Sequence, residues 1–464
     1  MYLGNFIKNL DKKYNKTYFS EVSFNSKKVK KNNIFFALKG NKLDGNKYIF
    51  DAINKGARII VSEKDIKFNI KNTIIIKYKN PRKLLAQISY KLIKKKPKNF
   101  VAVTGTNGKS SVADFYYQIL NLNKKKAASI GTIGLQFNNK KVTSENTTLD
   151  PINLRKKINF LSSKKIKNVI LEASSHGLKQ NRLDGLLFDI GIFTNLSHDH
   201  LDYHKTLKDY LSSKLYLFRK LIKKRGEIIT DAKIPQLKKI EKIGQNNRLG
   251  LNLINNNHKG IELISHKFEN EKQILEISLR NKRYKFKLNL IGKIQVNNIL
   301  MAMLAANKNN LKFDNIIKIA NKIKSVEGRL EKIGKILNKS KVILDYAHTP
   351  EALELALKNL KEQFPYSKIS LVFGCGGDRD FKKRSLMGRI SQKYSNKIYL
   401  TDDNPRYENP AKIRADIKKG IKKFKVHEIS SRKDAIDKAV QNLETGDLLL
   451  VAGKGHEKIQ DYGN

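Results

Sequence analysis

The sequence predicts an α/β protein of three domains. These are a small N-terminal α/β domain, a central domain with a mostly parallel sheet of phosphate-loop type, and a C-terminal Rossmann-like α/β domain. Three observations carry that prediction. The chain has 464 residues, too many for one ordinary domain of roughly 100–200 residues. Short apolar, β-branched runs alternate with amphipathic stretches, the rhythm of a helix-flanked parallel sheet. One such run ends in a glycine-rich loop that opens a helix, Thr104-Gly105-Thr106-Asn107-Gly108-Lys109-Ser110.

In chain order, Ile34-Phe35-Phe36-Ala37-Leu38, Ala57-Arg58-Ile59-Ile60-Val61 and Thr73-Ile74-Ile75-Ile76 read as strands. Pro97, after Lys94-Lys95-Lys96, marks the first boundary, so the first domain is residues 1–98. Phe100-Val101-Ala102-Val103 is the strand before the glycine loop, and a helix runs from Ser111 to about Leu122. Further strands end near Glu172 (Asn168-Val169-Ile170-Leu171) and Asn195 (Ile190-Gly191-Ile192-Phe193-Thr194). A second series begins near Lys341, with strands at Val342-Ile343-Leu344, Ile369-Ser370-Leu371-Val372-Phe373, Ile398-Tyr399-Leu400 and Leu448-Leu449-Leu450-Val451. The boundary falls near Val326-Glu327-Gly328-Arg329, giving domains 99–327 and 328–464.

An apolar share of 40% is enough for real cores. The lone Cys375 excludes an internal disulfide and fits a reducing compartment. The N-terminus lacks the apolar run of a secretory signal, and no stretch of about 18 apolar residues exists to span a membrane. A cytoplasmic protein is expected. The formal charge of +52 admits two readings. One is nucleic-acid binding, because Lys and Arg displace counterions from phosphates. The other is a lysine-rich solvated surface. The basic residues are spread over the whole length without interleaved aromatics, which favours the surface and predicts no specific nucleic-acid partner.

In the loop, Gly105 and Gly108 let backbone N–H groups approach phosphate oxygens, and the helix N-terminus adds partial positive charge. Lys109 suits the β/γ-phosphates and the Ser110 hydroxyl suits Mg²⁺. A bare glycine turn before a helix is the bland alternative, but a strand and a helix flank it on the correct sides. After later strands come Glu172-Ala173-Ser174-Ser175-His176-Gly177 and Asn195-x-x-x-Asp199-His200-Leu201-Asp202-Tyr203-His204. A Glu and a His at strand ends can hold hard cations with water. Equally, Ser174 or Ser175 can cap a helix, and each His can be structural.

Together these motifs resemble the Mur ligase family, in particular its members that add the third residue of the peptidoglycan peptide. The resemblance also rests on Asn146-Thr147-Thr148, Gly328-Arg329-Leu330-Glu331, Asp345-Tyr346-Ala347-His348-Thr349-Pro350, Gly374-Cys375-Gly376-Gly377-Asp378-Arg379-Asp380, Asp403-Asn404-Pro405-Arg406 and Gly453-Lys454-Gly455-His456-Glu457. It implies an ATP- and Mg²⁺-dependent ligase acting on UDP-MurNAc-L-Ala-D-Glu through an acyl phosphate. Gly105, Thr106, Asn107, Gly108, Lys109, Ser110, Ser111, Asn298, Arg329, Asp345 and His348 would contact ATP. Ser110, Glu172, His200 and a carbamylated Lys214 would hold metal, with Lys109, Glu172, His200 and Lys214 catalytic. On its residues alone Lys214 reads as one more lysine. Phe24, Ser26, Asn41, Lys42 and Leu43 match the uridine-binding edge, although Asn25-Ser26-Lys27 replaces the common Asp-Ser-Arg. Thr147, Thr148, Ser175, Gln180 and Arg182 match muramoyl-peptide contacts. The family implies a monomer, and it ordinarily runs further than Asn464, so a short third domain is expected.

Asp403-Asn404-Pro405-Arg406 speaks to the incoming amino acid. Arg406 offers a planar fork for bidentate capture of a carboxylate, and meso-diaminopimelate has a second carboxylate that lysine lacks. The family pattern pairs this motif with Arg379, Gly453 and Glu457, the last suited to a distal ammonium. Diaminopimelate is therefore the expected substrate, with L-lysine as the alternative. A folate polyglutamate ligase is disfavoured by the first domain and by Asp403–Arg406. A basic nucleic-acid-binding ATPase would differ in being stimulated by DNA.

Overall fold

Asn33–Ala37 is buried at all five positions, as a strand inside a parallel sheet must be when both faces are covered. Ile34 and Phe36 pack on one side with Phe19, Leu84, Leu85 and Ile88. Phe35 and Ala37 pack on the other with Val29, Ile49 and Ala52. In this computed structural model the described residues are 1–464 apart from 8–9, 41–42, 67–71, 145, 336–337, 423–425, 458 and 464. The chain divides into two units. The first comprises Met1–Ala102, Lys126–Gly191 and Ser213–Gly226; the second comprises Val103–Lys125, Ile192–Ser212 and Glu227–Asn464.

In the first unit the strands Val22–Ser23, Asn33–Ala37, Ala57–Ser62 and Ile74–Lys77 form a four-stranded sheet in that order, parallel throughout. Helix Pro81–Lys91 begins with Pro at its first turn, and the Asn80 side chain accepts from Lys83 N at 2.9 Å. Both features suit a helix start, where N–H groups lack intrahelical partners. The same unit holds Ala127–Gly131 paired parallel with Asn168–Glu172, then antiparallel with Gly134–Phe137, which pairs antiparallel with Lys140–Val142.

In the second unit the 227–231 part of strand Ile222–Asp231, Gly250–Ile254 and Gly260–Glu269 are parallel neighbours. Lys272–Leu279 and Lys282–Leu288 then add antiparallel. Antiparallel ribbons thus join the expected parallel pairings and make the sheet mixed. The reason is local. Asn138–Asn139, Asn270–Glu271 and Arg280–Asn281 each put two successive residues at positive φ, the backbone of a two-residue hairpin. Such a connection has no room for the crossover that a parallel pair requires.

Glu331–Lys335, Lys341–Asp345, Leu448–Ala452, Ile369–Phe373, Lys397–Leu400 and Val426–Glu428 form a six-stranded sheet in that order. Only the first pairing is antiparallel. Side chains alternate between its faces. Leu371, Phe373, Leu448 and Leu450 meet Leu353, Leu357, Met387 and Ile417. Val372, Tyr399, Leu449 and Val451 meet Ala435 and Ala439. Asp345, Gly374, Thr401–Asp403 and Gly453 lie at the carboxyl ends of four adjacent parallel strands, where α/β sheets open their ligand crevices. Among the described residues no helix is long and apolar enough to cross a membrane.

Phe36 is fully buried, so Phe36→Ala is expected to destabilise the fold by about 3–5 kcal/mol. Denaturant unfolding measures this, and a loss under about 1 kcal/mol would contradict the packing described.

Candidate active site

The phosphate loop lies in the second unit. Thr104 ends strand Asn99–Thr104, and Gly108 precedes helix Lys109–Leu122 in a left-handed conformation. Only glycine fits at two positions. A Cβ on Gly105 would stand 1.8 Å from Thr194 Oγ1, and one on Gly108 would stand 2.4 Å from Asn298 Oδ1. The loop is laced to the 194–197 segment. Thr106 N donates to Asn195 O and Asn107 N to Asn195 Oδ1, both at 2.9 Å. Thr194 Oγ1 donates to Asn107 O at 2.6 Å, and Ser197 N to Thr106 Oγ1 at 3.0 Å. Lys109 Nζ curls back to Gly105 O at 3.0 Å and Thr106 O at 2.8 Å. Ser110 and Ser111 are buried in the first turn of the helix.

The same unit holds the other predicted ATP contacts. Asn298 Nδ2 donates to Gln295 Oε1 at 3.1 Å. The Arg329 guanidinium lies 4.3 Å above the Tyr346 ring, a cation–π arrangement. The Asp345 carboxylate accepts from Leu330 N at 2.7 Å and Ala347 N at 2.8 Å. Burial pushes the Asp345 carboxyl up, against Arg329 and those two N–H groups. Burial pushes the His348 imidazole down, against the nearby Asp199 charge, and its Nδ1 lies 2.9 Å from Tyr346 O. His200 takes a left-handed backbone (φ 53°), with its Nε2 3.4 Å from Asp199 Oδ2. Burial would raise the Asp199 carboxyl, but His200, His348 and Lys109 outweigh it and leave Asp199 below its ordinary value. His204 is fully buried against the Tyr203 and Tyr210 rings, a structural role.

Glu172 lies in the first unit, at the end of strand Asn168–Glu172, and is buried. Its Oε1 accepts from Thr132 N at 2.8 Å and its Oε2 from Thr132 Oγ1 at 3.1 Å. A Cβ on Gly131 would come within 2.1 Å of Oε1. Around it gather the predicted muramoyl-peptide residues. Thr132 Oγ1 is 3.0 Å from Thr147 Oγ1, and Thr148 Oγ1 donates to Glu172 O at 2.8 Å. Arg182 Nη1 donates to Thr148 O at 2.6 Å, while its Nε and Nη2 hold Gln180 Oε1 at 3.1 and 2.9 Å. Ser174 caps the short helix that Ser175 begins, as the bland reading of these serines anticipated. Lys214, in helix Leu207–Lys220, is 1% exposed, the least exposed lysine among the described residues. That burial separates it from an ordinary surface lysine.

At the expected uridine edge Ser26 is buried, capped through Asn25 Oδ1, which accepts from Lys27 N at 2.9 Å. Phe24 and Leu43 are exposed, and Asn41 and Lys42 lie outside the described residues. The sequence did not reveal the cavity of about 290 Å³ in this unit lined by Lys39, Lys64, Lys79, Arg82 and Lys179. Its cations come from four separate segments.

The amino-acid motif occupies the crevice of the six-stranded sheet. Lys454 Nζ donates to Asn404 Oδ1 at 2.8 Å and to Glu457 Oε2 at 3.2 Å. Tyr346 OH donates to Glu457 Oε1 at 3.1 Å. Burial would raise the Glu457 carboxyl, yet Lys454, Tyr346 and Asn404 hold it below its ordinary value. Asp403 is buried against Gly453, whose Cβ would lie 2.7 Å from Asp403 Oδ2. Arg432, which the sequence reading passed over, is buried with Asp403 and Glu457 as its facing anions. Arg406 Nη1 donates to Gly377 O at 2.6 Å, Pro405 is buried, and Arg379 is exposed.

No group of three His, Cys, Asp or Glu side chains poised for a metal occurs among the described residues. The donors proposed for Mg²⁺ are instead hydroxyl, carboxylate, imidazole and carbamate groups. Ser110 is buried at a helix start and Glu172 already fixed by Thr132. Such mainly oxygen donors fit a cation that keeps several waters.

Three family models match the chain: Mur ligase family, catalytic domain, over residues 18–91; Mur ligase middle domain over 103–306; and Mur ligase, glutamate ligase domain, over 328–455. A UDP-N-acetylmuramoyl-L-alanyl-D-glutamate–2,6-diaminopimelate ligase of Rickettsia conorii is 42% identical over 449 residues, covering 96% of this chain and 92% of that one. The protein of the same name from Chelativorans sp. is 38% identical over 447 residues, covering 96% and 91%. A solved structure of a ligase of that name superposes with a TM-score of 0.72 at 29% identity, covering 98% of this chain and 93% of that one. The MurF ligase of Thermotoga maritima in complex with ADP, at 18% identity and a TM-score of 0.65, shares the fold.

Gly108→Ala would drive a methyl into Asn298 in a backbone region that favours glycine. It is expected to weaken ADP binding at least about tenfold by calorimetry; unchanged affinity would refute the loop's role.

Proposed function

The chain belongs to the Mur ligase family, and on that premise we propose that it is an ATP-dependent, ADP-forming ligase that adds meso-diaminopimelate to UDP-MurNAc-L-Ala-D-Glu. The observation that carries the amino-acid assignment is the crevice holding Arg406 and Glu457, charges of opposite sign that follow the two strands, Lys397–Leu400 and Leu448–Ala452, on either side of Ile369–Phe373. Such a site suits an amino acid with a distal carboxylate and a distal ammonium. The names of the relatives support the same reading.

The terminal carboxylate of the dipeptide attacks the γ-phosphorus of ATP, ADP leaves, and an acyl phosphate forms. The amine nitrogen of diaminopimelate then attacks the acyl carbon. The tetrahedral adduct loses inorganic phosphate and a proton, leaving an amide. Two anions meet in the first step, so Lys109 must turn from the loop carbonyls to the phosphates. Bound Mg²⁺ would supply further charge neutralisation, held by Ser110, Glu172, His200 and carbamylated Lys214. Carbamylation gives the buried Lys214 the negative charge that a metal ligand needs. Asn298, Arg329, Asp345 and His348 orient the nucleotide. Thr147, Thr148, Ser175, Gln180 and Arg182 orient the muramoyl peptide. Phe24, Ser26 and the 41–43 segment hold uridine, and the cationic cavity beside them suits the anionic part of that substrate. The domains proposed for these tasks are 1–98, 99–327 and 328–464. The enzyme would work as a cytoplasmic monomer in peptidoglycan precursor synthesis, and so in cell-wall growth, shape and division.

Incorporation of diaminopimelate and L-lysine in competition tests the substrate. A preference for diaminopimelate of at least about a hundredfold is expected, equivalent to about 3 kcal/mol for an arginine–carboxylate pair. Arg406→Lys is expected to erode it. A wild-type preference for lysine would refute the assignment.

A further inference from the structure

Two loops carry arginines of the proposed amino-acid site. The 374–380 segment bears Arg379 and the 403–408 segment bears Arg406. Each contains a non-glycine residue in the left-handed region, Asp378 at φ 51° and Arg406 at φ 53°. Such conformations persist only where the surroundings hold them. The loops also run too close for a side chain on Gly377, whose Cβ would lie 1.9 Å from Pro405 O.

Glu408 is where these constraints meet. Its Oε1 accepts from Asp378 N at 2.5 Å, across the gap between the loops. Its two oxygens take Arg384 Nη2 at 2.9 and 2.8 Å. The Arg384 side chain is 2% exposed, projects from helix Lys382–Tyr394, and is anchored a second time to Asp416 at 3.2 Å. Two weaker ties run parallel to this brace: Gly377 N donates to Asn404 O at 2.9 Å, and Tyr407 N to Asp378 Oδ2 at 3.3 Å. Charged, multiply bonded groups on a buried guanidinium are the strong members of such a set. Removing Glu408 would leave the two loops joined by those two contacts and by the Arg406 Nη1 bond to Gly377 O at 2.6 Å, which Arg406 gives up in turning to a substrate carboxylate.

We propose that Glu408 is a positioning residue for the amino-acid site, bracing the two loops so that Arg379 and Arg406 keep the spacing that selects an amino acid with a second carboxylate. This rests on the ligase reading above.

The test compares full-length wild type with Glu408→Gln, and with Glu408→Gln combined with Arg384→Gln, which avoids leaving a lone buried guanidinium. The readouts are kcat, KM for each of the three substrates, the diaminopimelate-to-lysine ratio of kcat/KM, and the melting temperature. Glu408→Gln is expected to raise KM for diaminopimelate about tenfold and to lower the selectivity ratio. KM for ATP and for the nucleotide dipeptide, and kcat, should stay within about twofold. The paired variant should show the same pattern. Unchanged KM for diaminopimelate and unchanged selectivity would overturn the proposal, as would equal increases in all three KM values with a lowered melting temperature. If wild type prefers lysine, the substrate assignment fails by that result alone, and Glu408 is judged by the same criteria on KM for lysine.

Discussion

The 104–110 loop has no room for a side chain at Gly105 or Gly108, and its backbone geometry follows from that closeness. Thr194 and Asn298 stand where a Cβ would be. The loop backbone is therefore held by Thr194, Asn195 and Ser197 rather than by its own turn. A rigid loop matters because phosphoryl transfer is mostly positioning and charge stabilisation. Lys109 lies on the loop carbonyls, and in the proposed reaction it exchanges them for phosphate oxygens.

The same economy recurs elsewhere. Gly131 leaves space for the Glu172 carboxylate in the first unit, and Gly453 leaves space for Asp403 in the second. In both places glycine admits a carboxylate to a buried position, and neighbouring donors or cations keep it tolerable there. Glu172 has Thr132; Asp403 has the field of Arg432.

Much of this was legible in the sequence because buried parallel strands need continuous apolar runs. Ile369–Phe373 matches its run residue for residue, and Leu448–Ala452 and Asn33–Ala37 match within one or two positions. The antiparallel ribbons of 260–288 were not legible. Their strands are largely half-buried and only Lys282–Leu288 alternates exposed lysines with buried apolar residues, and their turns are Asn-Glu and Arg-Asn pairs, weak signals beside Asn-Gly. Among the candidate site residues, Glu172 and His200 stand in strand-end motifs, while Arg406 and Glu457 were singled out with the help of family likeness. Thr132, Arg432 and Glu408 were missed because each acts through a partner distant in sequence. Lys214 emerged only from family likeness, since nothing local to a lysine reveals that it will be buried.

The central claim is that a carboxylate is activated by ATP before the amine attacks. Label both oxygens of the dipeptide's terminal carboxylate with ¹⁸O, run the reaction with ATP and diaminopimelate, and analyse the released phosphate by mass spectrometry. The account predicts one ¹⁸O in each phosphate, carried from the carboxylate through the acyl phosphate. Unlabelled phosphate, with the amide still formed, would contradict it.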